Sequence, residues 1–274
     1  MLLHFYKMTG AGNDFVMVDN RDLSLSSVLD KETIEALCDR RFGIGADGLI
    51  AVEPSQGKGG IVRMRYYNAD GGEAEMCGNG ARCFGNFAAA LLHHDKTAPF
   101  ALKPWPASSP QPLKKDDNVT VNLTNPHSMQ LFVLNADPTV GADVHFLNTG
   151  VPHAVAFLDK LEGLDISRLG AYLRYHEAFS PKGTNANFAR ILSPGHIAIR
   201  TYERGVEDET LACGTGITAC ALLHAVLTDA PSPIQVDVAG GDTLKVGFQR
   251  TGDRFTDVTL TGPADLVFTG DIQI

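Results

Sequence analysis

Two cysteines of this chain sit in matching settings. Cys77 falls in Met76-Cys77-Gly78-Asn79-Gly80 and Cys213 in Ala212-Cys213-Gly214-Thr215-Gly216. Each is followed by an apolar run, over residues 84–92 and 219–227, and that spacing predicts a helix starting beside each thiol. Backbone N–H groups at a helix N-terminus stabilise a thiolate, the form in which cysteine acts as a base or nucleophile. The glycines let consecutive N–H groups point outward, which would also hold a carboxylate. Two matched weak acids delivered from separate parts of a chain suit the inversion of a carbon centre. One, as thiolate, takes a proton from one face while the other, as thiol, gives a proton to the opposite face.

The elements that must carry these thiols repeat as well. Arg65-Tyr66-Tyr67-Asn68 leads through an acidic stretch to Cys77, and Arg200-Thr201-Tyr202-Glu203 leads through another to Cys213. Upstream, Thr9-Gly10 and Thr149-Gly150 each open toward a β-rich run, at residues 15–18 and 154–157. The period is much longer than a solenoid unit, so two domains of one plan are expected. Strand character at residues 61–67, 119–123, 197–202 and 258–260, with one helix at the centre of each half, predicts the α+β class. A helical pattern at residues 32–41 carries Cys38. The Pro-, Ser- and Lys-rich stretch 103–118 reads as a loop, with the domain change near Thr124-Asn125-Pro126.

The composition narrows the function classes. With 274 residues, 23 Lys and Arg against 32 Asp and Glu, and a formal net charge of -9, the chain has no cluster of basic residues for a nucleic acid or an anionic membrane. It has neither a signal-like apolar N-terminus nor an apolar window of about 18 residues, so a cytoplasmic location is expected. Cys38, Cys83 and Cys220 read as packing residues, and no cysteine pair has the close spacing of a structural zinc site, so no metal is expected. Gly43-Ile44-Gly45-Ala46-Asp47-Gly48 matches a dinucleotide fingerprint only in letters, since a helix precedes it and a strand follows. Lys7 and Lys182 adjoin the Gly/Asn segments and read as surface charges, not Schiff-base lysines.

Read together, these segments resemble the diaminopimelate epimerase family nearly end to end. The resemblance runs through Lys7-Met8-Thr9-Gly10-Ala11-Gly12-Asn13-Asp14-Phe15, Arg41 to Gly48, Tyr67-Asn68-Ala69-Asp70-Gly71, Met76 to Cys83, Pro152-His153, Gly183-Thr184-Asn185, Glu203-Arg204-Gly205 and Ala212 to Gly216. It implies two pseudo-symmetric domains, each a curled, mostly antiparallel sheet around a central helix, meeting at a cleft. It also implies that the C-terminal strand returns to the first domain, giving residues 1–123 with 265–274 and residues 124–264.

The implied reaction is the cofactor-independent interconversion of LL- and meso-2,6-diaminopimelate, for lysine and peptidoglycan precursors, by a homodimer. By position, Cys77 and Cys213 correspond to the acid-base pair. Asn79 with the amides of Gly78, Gly214 and Thr215 would hold the reacting-end carboxylate. Asn13, Asn68, Asn185, Glu203 and Arg204 would bind the rest of the substrate, and His153 and Glu203 would tune the thiols. Three departures bear on the distal end. Gly48 stands where some members carry Gln, Val151 where some carry Asn, and the stretch 203–210 is one residue longer than the frequent form. A racemase of the same fold acting on a proline-type acid is the alternative enzyme, and a noncatalytic amino-acid-binding protein or a thiol redox switch the alternative of another class.

Overall fold

The computed structural model describes residues 1–55, 62–74, 77–92 and 118–274. In chain order the elements are β1 (Leu2–Gly10), β2 (Asn13–Asp19), α1 (Lys31–Cys38), β3 (Gly48–Pro54), β4 (Val62–Asn68), β5 (Glu73–Ala74) and α2 (Gly78–Leu91). There follow β6 (Asn118–Asn122), β7 (His127–Asp137), β8 (Ala142–Asn148), β9 (Pro152–Phe157), α3 (Ile166–Arg174), β10 (Asn185–Ser193), β11 (His196–Glu203) and β12 (Asp208–Thr210). The last are α4 (Gly214–Thr228), β13 (Ile234–Asp237), β14 (Thr243–Thr251), β15 (Arg254–Pro263) and β16 (Asp265–Gln273). Apart from Asn118, the stretch expected to be a loop at 103–118 lies outside the described residues. Among the described residues no helix is long and apolar enough to cross a membrane.

The chain divides into two compact units, Met1–Val119 with Pro263–Ile274, and Thr120–Gly262. The first holds a sheet of order β16-β1-β2-β3-β4-β5, the second a sheet of order β6-β15-β14-β13-β11-β10-β9-β8-β7, with β12 paired to β11. Both are α+β and mostly antiparallel, with parallel pairs at β2 and β3, β9 and β10, and β11 and β13.

Each sheet curls around one helix. In the first unit α2 packs against β1, β2, β3 and β4. Its Cys83 and Phe87 meet Met8, Phe15, Met17 and Ile50 in one apolar cluster. In the second unit α4 touches β8, β9, β10, β11, β13 and β14, and Ile217, Ala219, Cys220, Ala221, Leu222 and Leu223 are all fully buried. A helix apolar on every side is stable in water only when surrounded, and the curled sheet surrounds this one. The small residues at 219, 221 and 225 let the sheet backbone come close.

Helix α1 stops at Cys38, short of the 41 that its apolar pattern suggests. Asp30 caps its start by accepting from the Thr33 N–H at 2.9 Å. Asp39 leaves helical geometry and its Oδ1 accepts from the Arg41 and Phe42 N–H groups, a turn that competes successfully with another helical turn.

Candidate active site

In the first unit Cys77 is the N-cap of α2, with an extended backbone, and its Sγ accepts from the Gly80 N–H at 3.4 Å. The thiol therefore lies at the positive end of the helix. A Cβ at position 80 would lie 2.9 Å from Ile50 Cδ1, so the helix start enters close against the Ile50 side chain, which would have to shift to admit a larger residue. Asn79 is buried and tied at both ends of its amide. Its Nδ2 donates to Asn13 Oδ1 at 2.5 Å and its Oδ1 accepts from Arg82 Nη2 at 2.9 Å. Arg82 is fully buried and also donates to the carbonyls of Pro263 and Gly78.

A second layer of charge holds Asn13 in turn. Its Nδ2 donates to Asp47 Oδ2 at 2.9 Å, and Asp47 Oδ1 pairs with Arg40 at 2.7 Å. Asp14 joins Arg40 and Lys7, each at 2.7 Å, and Lys7 Nζ also donates to the Gly45 carbonyl. Burial disfavours charge on Asp14, but the hydrogen bonds from Arg40 and Lys7 outweigh it and hold its carboxyl at about 2. Lys7 is thus not the surface charge that its sequence suggests. It is 6% exposed, enclosed by its ion pair and the Gly43 to Gly48 turn, and it braces the strand end that carries Asn13.

Asn68 stands exposed at the end of β4, in a turn closed by its N–H to the Gly72 carbonyl and by the Gly71 N–H to its own carbonyl. It lies opposite Gly48 on β3. A Cβ at Gly48 would come within 2.3 Å of the Tyr67 carbonyl oxygen and 2.7 Å of Tyr66 Cε2, which accounts for glycine in place of a longer residue here. Gly48→Gln is expected to destabilise the fold by about 2 kcal/mol or more through overpacking, measurable as a lower midpoint in urea.

In the second unit Cys213 is the N-cap of α4 and is buried, with Thr215 Oγ1 3.4 Å from its Sγ. Thr215 Oγ1 lies 2.9 Å from His153 Nε2, and its carbonyl accepts from Thr149 Oγ1. His153, on β9, is fully buried and faces Asn185 in the β9 and β10 register. The Asn185 side chain donates to the Pro152 carbonyl at 2.9 Å and accepts from the Arg204 N–H at 2.8 Å, so it orders the backbone at the end of β11. Glu203 accepts from Thr210 Oγ1 at 3.0 Å. Glu207 pairs with Arg174 and sits at φ 59°, the left-handed position at which the β11 to β12 turn is made.

Beside these residues is a cavity of about 440 Å³ whose lining includes Asn148, Val151, Pro152, Lys182 and Arg204. Two cationic side chains in the lining suit a carboxylate. Val151 supplies no polar contact, and the Asn148 Oδ1 is engaged by the Gly150 N–H at 3.0 Å.

The remaining thiols are packing groups. Burial pushes Cys38 up to about 11 and Cys83 to about 12, and Cys220 is raised as well. Burial, followed by the nearby charge of Arg204, holds His153 neutral, down to about 3, and burial lowers His145 and His224 in the same direction. Because the unfolded chain binds protons on these histidines where the folded chain does not, their contribution is full above about pH 6.5 and is lost as pH falls toward the folded values. Stability is therefore expected to fall between about pH 6.5 and 4.5, by up to about 1.4 kcal/mol per pH unit from His153, with His145 and His224 acting in the same direction. Urea unfolding across that range, with His153→Gln showing a shallower slope, checks it.

The architecture is shared by solved proteins of low sequence identity. A phenazine biosynthesis protein of the PhzF family from Bacillus anthracis matches with a TM-score of 0.68 at 13% identity, covering 100% of both chains. A probable proline racemase from Agrobacterium radiobacter matches with a TM-score of 0.63 at 15% identity, covering 99% of this chain and 92% of that one. These likenesses define the fold class. A family model described as diaminopimelate epimerase matches residues 5–103 and 145–267, and a protein named diaminopimelate epimerase from Flavobacterium psychrophilum is 41% identical over 268 residues, 97% of this chain and 98% of that one. The chain belongs to the diaminopimelate epimerase family.

Proposed function

We propose that this chain interconverts LL- and meso-2,6-diaminopimelate, with Cys77 and Cys213 as the paired acid and base, for the synthesis of lysine and peptidoglycan precursors. One thiolate removes the α-proton and the electron pair moves into the adjoining carboxylate. The other thiol then protonates the carbon from the opposite face, leaving the two sulfurs with exchanged protonation states. The observation that carries this reading is the matched placement of the two cysteines, each at the N-cap of a helix enclosed by its own sheet, each followed by Gly-x-Gly.

The α-hydrogen of an amino acid is feebly acidic, so the developing negative charge needs fixed donors. Asn79 and the amides of Gly78, Gly214 and Thr215 are the donors in this reading, with no metal or pyridoxal phosphate. Arg204 takes the distal carboxylate, Glu203 an ammonium group, and Asn13, Asn68 and Asn185 order the groups around them. His153 and Glu203 set the state of the thiols.

A racemase of proline-type acids is the alternative. The Arg204 and Lys182 side chains at the cavity favour a substrate with a second charged end. Incubation with LL-diaminopimelate and with L-proline, followed by separation of the stereoisomers, distinguishes them. Inversion of diaminopimelate alone is expected, and inversion of proline alone would overturn the assignment.

A further inference from the structure

One buried polar chain in the second unit runs into a catalytic thiol of the proposed reaction and includes two side chains with no role so far. Asn187 on β10 is fully buried, directly opposite Thr201 on β11, on the face toward α4. Its Nδ2 donates to the Ala154 carbonyl at 3.0 Å and lies 3.1 Å from His153 Nδ1, and its Oδ1 accepts from Thr201 Oγ1 at 3.1 Å. A carbonyl only accepts, so the Ala154 contact settles which end of the amide is nitrogen. The same nitrogen then donates to His153 Nδ1, which must carry no proton. The ring hydrogen is on Nε2 and donates to Thr215 Oγ1 at 2.9 Å. That oxygen keeps its own hydrogen to give, and a thiolate at Cys213 can only accept, so the hydroxyl hydrogen is then directed to Sγ at 3.4 Å.

Every link in the chain thus donates in one direction, from Thr201 through Asn187, His153 and Thr215 to the sulfur. The fit is close. A Cβ on Gly216, in the first turn of α4, would lie 2.4 Å from Asn187 Oδ1 and 3.3 Å from His153 Cε1.

We propose that Asn187 is a positioning residue for Cys213: it fixes His153 in the Nε2–H tautomer, which turns the Thr215 hydroxyl toward the sulfur and favours its thiolate. The proposal rests on Cys213 being one of the two acid-base groups. A hydrogen bond to the charged form of an acid stabilises that form. A neutral ring is required throughout, and burial with the charge of Arg204 keeps it neutral. Cys220, farther along α4, is buried and its thiol is raised, by burial first and then by the charge of Cys213.

The test uses the whole chain without substrate. Nitrogen NMR of histidine-labelled protein should show His153 protonated on Nε2 only, and Asn187→Leu should populate both tautomers. Alkylation of Cys213 by iodoacetamide at neutral pH, followed peptide by peptide, should slow about tenfold in Asn187→Leu and in Thr215→Val, and no further in the double variant. Alkylation of Cys77 should stay within about twofold of wild type. A wild-type His153 protonated on Nδ1, unchanged Cys213 alkylation in both variants, or additive losses in the double variant would each overturn the proposal. The wild-type spectrum decides even where a variant fails to fold. Inversion assays of Cys213→Ala address the epimerase reading separately, since neither readout here needs turnover.

Discussion

Cys77→Ala and Cys213→Ala are each expected to lower the rate of inversion by about a thousandfold or more, with the fold retained. A positioned acid or base contributes about a hundredfold to ten-thousandfold, and inversion needs one on each face of the carbon. Removing either thiol stops the reaction halfway. The surviving thiolate can still take a proton from the stereoisomer whose α-hydrogen it faces and return one to the same face. Each variant should therefore retain slow α-hydrogen exchange with one stereoisomer, and the two variants should prefer opposite stereoisomers. Both substitutions remove a small side chain at a helix N-cap, and Cys77 accepts one hydrogen bond there, so a loss of about 1 kcal/mol in stability is the structural cost. Circular dichroism separates that cost from the kinetic effect. Retention of wild-type inversion by either variant would remove the basis of the assignment.

Asn79→Asp is expected to lower kcat/KM by about a hundredfold to a thousandfold while leaving α2 folded. The amide of Asn79 is oriented by Arg82 on its oxygen and by Asn13 on its nitrogen. A carboxylate keeps the Arg82 contact but places an acceptor against Asn13 Oδ1. Turning the Asn13 amide to relieve that contact would set its oxygen against Asp47, which Arg40 holds in place. The substitution also sets a negative charge where the substrate carboxylate is proposed to bind, and loss of one such donor alone typically costs a hundredfold to a thousandfold. Asn79→Ala should lose less than Asn79→Asp. The reverse order, measured by steady-state kinetics, would place the carboxylate elsewhere.

The parts of this site that were legible in the sequence are those set by local chemistry. A cysteine before Gly-x-Gly and an apolar run announces a helix start, because few other patterns leave so many amides pointing outward. The buried character of Cys83, at the edge of one apolar run, and of Cys220, inside the other, follows from their place in the helices, and both are enclosed. Lys7 was misread because its partners, Asp14 and the Gly45 carbonyl, are brought to it by sheet pairing and a distant turn that no local pattern encodes. Gly48 looked like a departure from a family pattern, and its cause became visible only with Tyr66 and Tyr67 in place.

Asn187 was missed although a signal existed. Asn185-Ala186-Asn187-Phe188 alternates polar and apolar residues in a strand, which puts both asparagines on one face, and two buried amides on one face require partners. The partners themselves, His153, Ala154 and Thr201, lie on the two neighbouring strands. Their register is a property of the sheet, not of any one strand.

The most direct test of the two-thiol account is the fate of the α-hydrogen in heavy water at early conversion. With two separate groups, the proton taken from the substrate stays on one sulfur while the product receives a solvent-derived deuteron from the other. Mass spectrometry of the separated stereoisomers should find the product fully deuterated at the α-carbon and the remaining substrate still protiated. A product that keeps the substrate's own hydrogen would show a single group serving both faces, and would contradict the account.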